Sequence, residues 1–291
     1  MTPNVPRLVT VQLGRCSSNG TEPLCTDEAL VFVEELADHG VPAVRFVVDA
    51  AEATDGMLRI IGHARRRGLA PTVALRGRSI GTMIAPIAEA GAAAIAVPLH
   101  SHVASVHQAI EGGLADWSRS IALAGIVRDS GSVLEMETRV TPANALCLLP
   151  LMEEVEALHA AQWRLDFFGA NGSATAATSA ATTLLHAASH GQLRIFVHNL
   201  PQIGSVLARP FGRFRPLQLR DLTLINGGES MHVMASGDVR FDGLGVACAG
   251  NIRQSSIDVL LMRALSFASL RLLQAPRAVA AAERGRAYAT A

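Results

Sequence analysis

Apolar and polar positions along roughly the first 170 residues follow two alternating rhythms. Short apolar or alternating runs at 8–13, 43–48, 71–75, 93–99, 134–140 and 163–168 predict strands. Between them lie stretches with apolar residues three and four positions apart. The first, 26–38, opens on Thr26-Asp27-Glu28, a hydroxyl N-cap followed by early acids, and stops at His39-Gly40. The second, 56–67, puts Met57, Ile60, Ile61 and Ala64 on one face and ends before Gly68. Further helices are predicted at 83–90, 118–127 and 145–160. The resulting β-then-α order, with apolar strands such as 93–99, predicts a parallel sheet with crossover helices. Periodicity leaves two arrangements open, a partial barrel and an open doubly wound sheet.

After Gly169 the texture changes. A loop, an Ala/Thr-rich helix to Ser189 and a short strand at 193–197 precede a Pro- and Arg-bearing segment at 201–220 that reads as a wrapping loop. Residues 231–241 hold two strand-like runs around Ser236-Gly237-Asp238, which predicts a hairpin. A helix is expected at 256–273, with an Ala/Arg-rich tail from Ala275.

Composition narrows the chemistry. The chain is 49% hydrophobic and 17% charged, the balance of a globular protein. All 25 basic residues are arginine, which excludes a lysine Schiff base and a Walker-type phosphate lysine. The formal net charge is zero, so no global field favours nucleic acid or an anionic membrane. The four cysteines do not make a disulfide framework in a chain of 291 residues, and no membrane span or signal pattern stands out; these point to a cytoplasmic protein.

Several stretches then carry a family resemblance. Leu36-Ala37-Asp38-His39-Gly40-Val41 leads into Val44-Arg45-Phe46, and residues 60–68 form the helix end before the third strand. Val97-Pro98-Leu99 is followed by residues 107–113, and Val140-Thr141-Pro142-Ala143-Asn144 follows the fifth strand. Residues 231–239 and Gly250-Asn251-Ile252-Arg253 come later. In order and spacing, over roughly residues 7–273, the chain resembles the radical S-adenosylmethionine (radical SAM) enzymes, in the branch with a C-terminal SPASM or twitch extension. The resemblance implies a partial (β/α)6 barrel over residues 1–170, followed over 171–291 by a small hairpin and helix extension with a tail. It also implies, as family cofactors, a [4Fe–4S] cluster on three cysteines of the first βα loop and S-adenosylmethionine on its free iron.

The chain departs from that template where the cofactors would bind. Cys16 stands at the first cluster position, but the second and third fall on Gly20 and Pro23, neither of which has a side chain that binds iron. Cys25, if it shifted in, would give only two thiolates. The glycine-rich motif of the second strand is replaced by Val48-Asp49-Ala50-Ala51, and Thr-Asn-Gly of the third by Leu75-Arg76-Gly77. Asn226 and Asp242 fall where auxiliary-cluster cysteines are expected, with Cys248 nearby. The expectation is therefore a degenerate member with no cofactor and no metal, its cluster loop a relic holding Cys16 and Cys25. Its expected partner is another protein, either a cluster-bearing radical SAM enzyme or a peptide substrate. The alternative is an enzyme using a repurposed polar pocket at the barrel mouth.

Candidate residues follow from strand ends. Asp49, Arg76, His100, Arg139 and Asp166 sit at or near them, where barrel sites lie. Ion pairing among these charges is the preferred reading over lining a ligand pocket. His100, His102 and His107 read as loop histidines in preference to metal ligands. His186 and His190 share a helix face but lack the glutamate of a zinc hydrolase, and Gly227-Gly228-Glu229-Ser230 reads as a turn. The Ala-rich helix at 174–188 suits an oligomer interface or a buried face equally.

Overall fold

The structure, a computed structural model, describes residues 5–14, 22–49, 54–76, 81–112, 116–167, 193–198, 222–225, 230–240 and 248–263. Six strands alternate with helices as the periodicity predicts: β1 (Leu8–Leu13), β2 (Ala43–Asp49), β3 (Ala70–Arg76), β4 (Ala94–Pro98), β5 (Leu134–Arg139) and β6 (Gln162–Asp166). The intervening helices are α1 (Thr26–Asp38), α2 (Asp55–Arg66), α3 (Ile84–Glu89), α4 (Ala104–Glu111), α5 (Trp117–Asp129) and α6 (Leu148–Ala157).

The parallel run does not stop at six strands. β7 (Arg194–His198) pairs with β6, and β8 (Leu222–Ile225), which lies just past the expected wrapping loop, pairs with β7. The predicted hairpin forms as β9 (Ser230–Val233) and β10 (Asp238–Arg240), with β11 (Cys248–Asn251) beyond it. It joins the same sheet, because β9 pairs with β1 in parallel. The strand order is β11-β10-β9-β1-β2-β3-β4-β5-β6-β7-β8, so strands from both halves of the sequence form one partial α/β barrel.

Helix boundaries follow local chemistry. Cys25 caps α1: its Sγ accepts from the Glu28 N–H at 3.5 Å, while Glu28 Oε2 accepts from the Cys25 N–H at 2.9 Å. Gly40 (φ +74°) and Gly68 (φ +87°) reverse the chain after α1 and α2, in a region that a side chain would disfavour. α2 turns Met57, Ile60, Ile61 and Ala64 inward, as its spacing predicts. α4 is an addition to the predicted set: residues 104–111 form a helix of their own, with His107 on its buried side.

The sheet has two unlike faces. Val9, Val11, Val44, Phe46, Val73, Ile95, Val97, Met136, Trp163 and Leu165 share one continuous apolar core with the inward sides of the helices. Strand side chains alternate between faces, so the intervening residues point into the barrel. On β2 and β5 those include Arg45, Glu135, Glu137 and Arg139. No helix among the described residues is long and apolar enough to cross a membrane.

Candidate functional site: a charged barrel interior

Arg45 is the centre of the inner face. It is 3% exposed and donates Nη1 to Glu135 and Nη2 to Glu137, three strands further round the sheet. The sequence explains this reach. The inner-face residues on intervening β3 and β4 are short, among them Thr72, Ala74, Ala94 and Ala96, so the curled sheet leaves Arg45 a path across.

Glu135 is 1% exposed and also accepts from Arg164 Nε at 2.9 Å. Arg164 Nη1 in turn donates to His198 Nε2, and its guanidinium lies over the Phe196 ring at 5.5 Å. Glu137 Oε1 accepts from Arg76 Nη2 at 2.5 Å, and Arg76 Nη1 reaches Glu111 of α4 at 3.3 Å. Three guanidiniums (Arg45, Arg76, Arg164) thus meet three carboxylates (Glu111, Glu135, Glu137). Isolated charges at such depth would be prohibitive, and pairing makes the arrangement tolerable.

Protonation follows from this geometry. Burial opposes the charge on Glu137 and Glu135, but the guanidiniums beside them outweigh it and hold both carboxyls below the usual range. Burial likewise opposes the charge on Arg45, and the two carboxylates raise its pKa above the ordinary value. His198 is pushed well below its usual pKa, by burial first and by Arg164 and His232 next. It remains neutral, with Nε2 accepting from Arg164 and the proton on Nδ1.

The histidines after β4 are anchored in the protein. His100 is fully buried, and its Nδ1 accepts the Arg139 N–H at 3.0 Å, so its proton sits on Nε2 and is donated to Glu111. The His100 N–H donates to His107 Nδ1 at 3.0 Å, and the two rings stack with centroids 5.3 Å apart. Burial is the main cause that lowers the His107 pKa to about 4. Asn144 Nδ2 closes the corner by donating to the His100 and Arg139 carbonyls. Among the described residues no three His, Cys, Asp or Glu side chains converge as a metal site.

The five sequence candidates all fall at C-terminal strand ends. The register sets Asp49 beside Arg76, and Asp166 between Arg139 and His198. Arg76 and His100 meet on Glu111. Arg139 supplies its backbone to His100, and Asp166 is half-buried on the neighbouring strand. The side chain of Asp49 lies outside the described residues, as do Cys16, His186, His190 and Gly227-Gly228-Glu229. Sequence reasoning missed Arg45, Glu111, Glu135, Glu137, Arg164 and His198. The signal was the two-residue period of β5, Leu134-Glu135-Met136-Glu137-Thr138-Arg139, in which every second residue is charged.

Beside the barrel mouth, Cys25 is committed to capping α1 and Pro23 is held in place by its backbone. The holder is Arg253, which follows β11. Its guanidinium donates to both oxygens of Glu28 (2.6 and 2.9 Å) and to the carbonyls of Glu22, Pro23 and Ser236. The Leu24 N–H also reaches the Ala235 carbonyl at 2.8 Å. The hairpin extension therefore clamps the segment that leads into α1.

A curled sheet of consecutive parallel strands, extended by a hairpin at its first strand, is a partial barrel of the radical SAM type. Solved structures of that class are similar to it. Against Streptococcus suis SuiB, the TM-score is 0.64 at 11% identity, over 89% of this chain and 66% of that one. Against anSMEcpe with bound AdoMet and a Cp18Cys peptide, it is 0.58 at 10% identity, over 88% and 80%. Both are radical SAM enzymes. The HMG-CoA lyase from Brucella melitensis is similar as well, with a TM-score of 0.56 at 15% identity over 92% of this chain and 99% of that one. At these identities the likeness is one of fold, and the chain spans just under two thirds of the length of SuiB. No family model matches the sequence, and no curated protein does.

Proposed function

We propose that this protein is a radical SAM relative that carries no cluster and works as a partner or scaffold for a cluster-bearing enzyme of the same class, in the modification of a peptide. The observation that carries the reading is the state of the residues at the cluster loop. A [4Fe–4S] cluster of this class needs three thiolates. Here the second and third positions are Gly20 and Pro23; Pro23 is tied by its carbonyl to Arg253, and the Cys25 sulfur caps a helix. The residues do not fit the group, so no step through it is derived.

The barrel interior supports the same reading. Arg45, Glu135, Glu137 and Arg164 satisfy one another in the space beneath the mouth. Solved structures of SuiB bound to precursor peptide SuiA, and of anSMEcpe with a bound peptide, are similar to this fold. A peptide-handling role for this chain is the extension of that likeness. The test is affinity purification of the full chain from its native host, followed by mass spectrometry. The reading expects recovery of a protein with an intact three-cysteine cluster loop, and reassembly of the purified pair at a fixed stoichiometry. Recovery of no such protein, or failure of the purified pair to associate, contradicts it.

A second reading is an enzyme that uses the mouth itself. The observation favouring it is that Arg76, Arg139 and Asp166 are only partly buried, on one rim. Screening Arg76→Gln beside the wild type for loss of any turnover separates it from the scaffold.

A further inference from the structure

The charge network balances on one side of the barrel interior, and polar atoms remain without partners on the other. Ser230 and His232 of β9 lie opposite Leu8 and Thr10 of β1, and Thr10 lies opposite Arg45. Arg240 of β10 lies opposite His232. The alternate residues Met231, Val233 and Val239 are in the helix-facing core, so Ser230, His232 and Arg240 belong to the inner face.

Ser230 Oγ and Arg240 Nε have no hydrogen-bond partner. Ser230 is 1% exposed, and its Oγ is bonded to nothing. Arg240 Nε is likewise cut off from solvent and unbonded. Among the described residues no carboxylate pairs with Arg240. Proteins rarely leave such groups unsatisfied, because each forfeits its hydrogen bonds to water on folding. An exception is a binding site whose ligand completes them.

The donors define the ligand. A guanidinium edge and a hydroxyl together suit an anionic acceptor, and a planar carboxylate matches the guanidinium fork. We propose that Arg240 and Ser230 form a subsite for the carboxylate of a small organic acid or peptide ligand held against the inner face of β9 and β10. The subsite is independent of the scaffold reading, since a scaffold and an enzyme would both carry it.

The experiment is calorimetric titration of the full chain with succinate, N-acetyl-aspartate amide and the neutral dimethyl succinate. The wild type should bind at least one of the two acids saturably and leave the diester unbound. Arg240→Gln should weaken that binding about tenfold or more, the cost of losing charge-assisted hydrogen bonds. Preference for succinate points to a free acid and preference for the aspartate derivative to a peptide side chain; both support the subsite. Equal binding by Arg240→Gln, equal binding of the diester, or no binding of either acid at tens of millimolar overturns it. Ser230→Ala keeps the test open if Arg240→Gln fails to fold. It should leave the melting temperature of the unliganded protein unchanged or higher, because the lost hydroxyl had no partner, and weaken acid binding several-fold. A lower melting temperature, or undiminished binding, contradicts the proposal.

Discussion

The same strands build two faces that obey different rules. On the face towards the helices, Phe46, Met136 and Leu165 are fully buried and interchangeable in kind: any well-packed apolar set of the right volume would serve. On the inner face, one residue away along each strand, Arg45, Glu135, Glu137 and Arg164 are specific in identity and partner. The outer face supplies the fold by removing apolar surface from water. The inner face stabilises little net and dictates what the interior can hold. A fold and the contents of its interior are thus separable: the outer face builds the sheet-and-helix framework, while the inner face from β2 to β7 holds a set of paired charges.

Breaking the inner face should have the largest effect. Glu135→Ala strands Arg45 and Arg164 without their shared carboxylate and should cost about 3–5 kcal/mol in urea unfolding. Joint replacement of Arg45, Glu135 and Arg164 by apolar residues of similar size should recover most of that loss. In the core that packs on the outer face, Ile61→Ala of α2 should cost about 2–5 kcal/mol, and no second substitution nearby should rescue it short of refilling the cavity. Rescue on one face and none on the other is the pattern that the comparison requires.

Acid sharpens it further. Glu111, Glu135 and Glu137 all have native pKa values below those of the unfolded chain, about 4.3. Their contribution is complete above that value and is lost as pH falls through the depressed native values. Glu28, held at about 2 by the hydrogen bonds from Arg253 and from the Cys25 N–H, loses its share over the upper part of the same window. Stability followed by circular dichroism should decline below about pH 4.3, and Glu137→Gln should flatten that decline.

Smaller effects belong to the extension. Arg253→Gln removes the clamp on residues 22–28 and should cost about 1–2 kcal/mol, since the guanidinium is partly exposed. His39 bridges the Glu35 carbonyl and Asp258, which raises its pKa. That contribution is present below the unfolded value near 6.5 and fades as pH rises through the native one. Asp258→Asn should reduce that pH dependence, leaving the part due to the Glu35 carbonyl, at a cost of about 1 kcal/mol or less.

How much of this was legible depended on the range of the signal. Strands β1–β6, the hairpin and the apolar face of α2 follow from local periods of 2 and 3.6, and the structure has them within a residue or two. β8 was missed because Leu222-Thr223-Leu224-Ile225 is a four-residue strand behind a proline-bearing segment, and its pairing with β7 is settled by tertiary contact. The ion network was half-legible. Arg76 and Arg139 were singled out as charges at strand ends, but Glu135 and Glu137 were absorbed into an apparently ordinary strand. Their meaning depends on Arg45, 90 residues or more earlier, and on the short side chains of β3 and β4 between them. The bond from Arg253 to Glu28 spans 225 residues, and no local pattern announces it.

The central claim is that a fold of the radical SAM type persists here without its cluster. Anaerobic reconstitution of the full chain with iron and sulfide, followed by desalting and assay of both elements, tests it most directly. The account predicts no stoichiometric iron and no sulfide-to-iron charge-transfer absorbance. About four iron atoms and four sulfides per chain, with that absorbance, would contradict it.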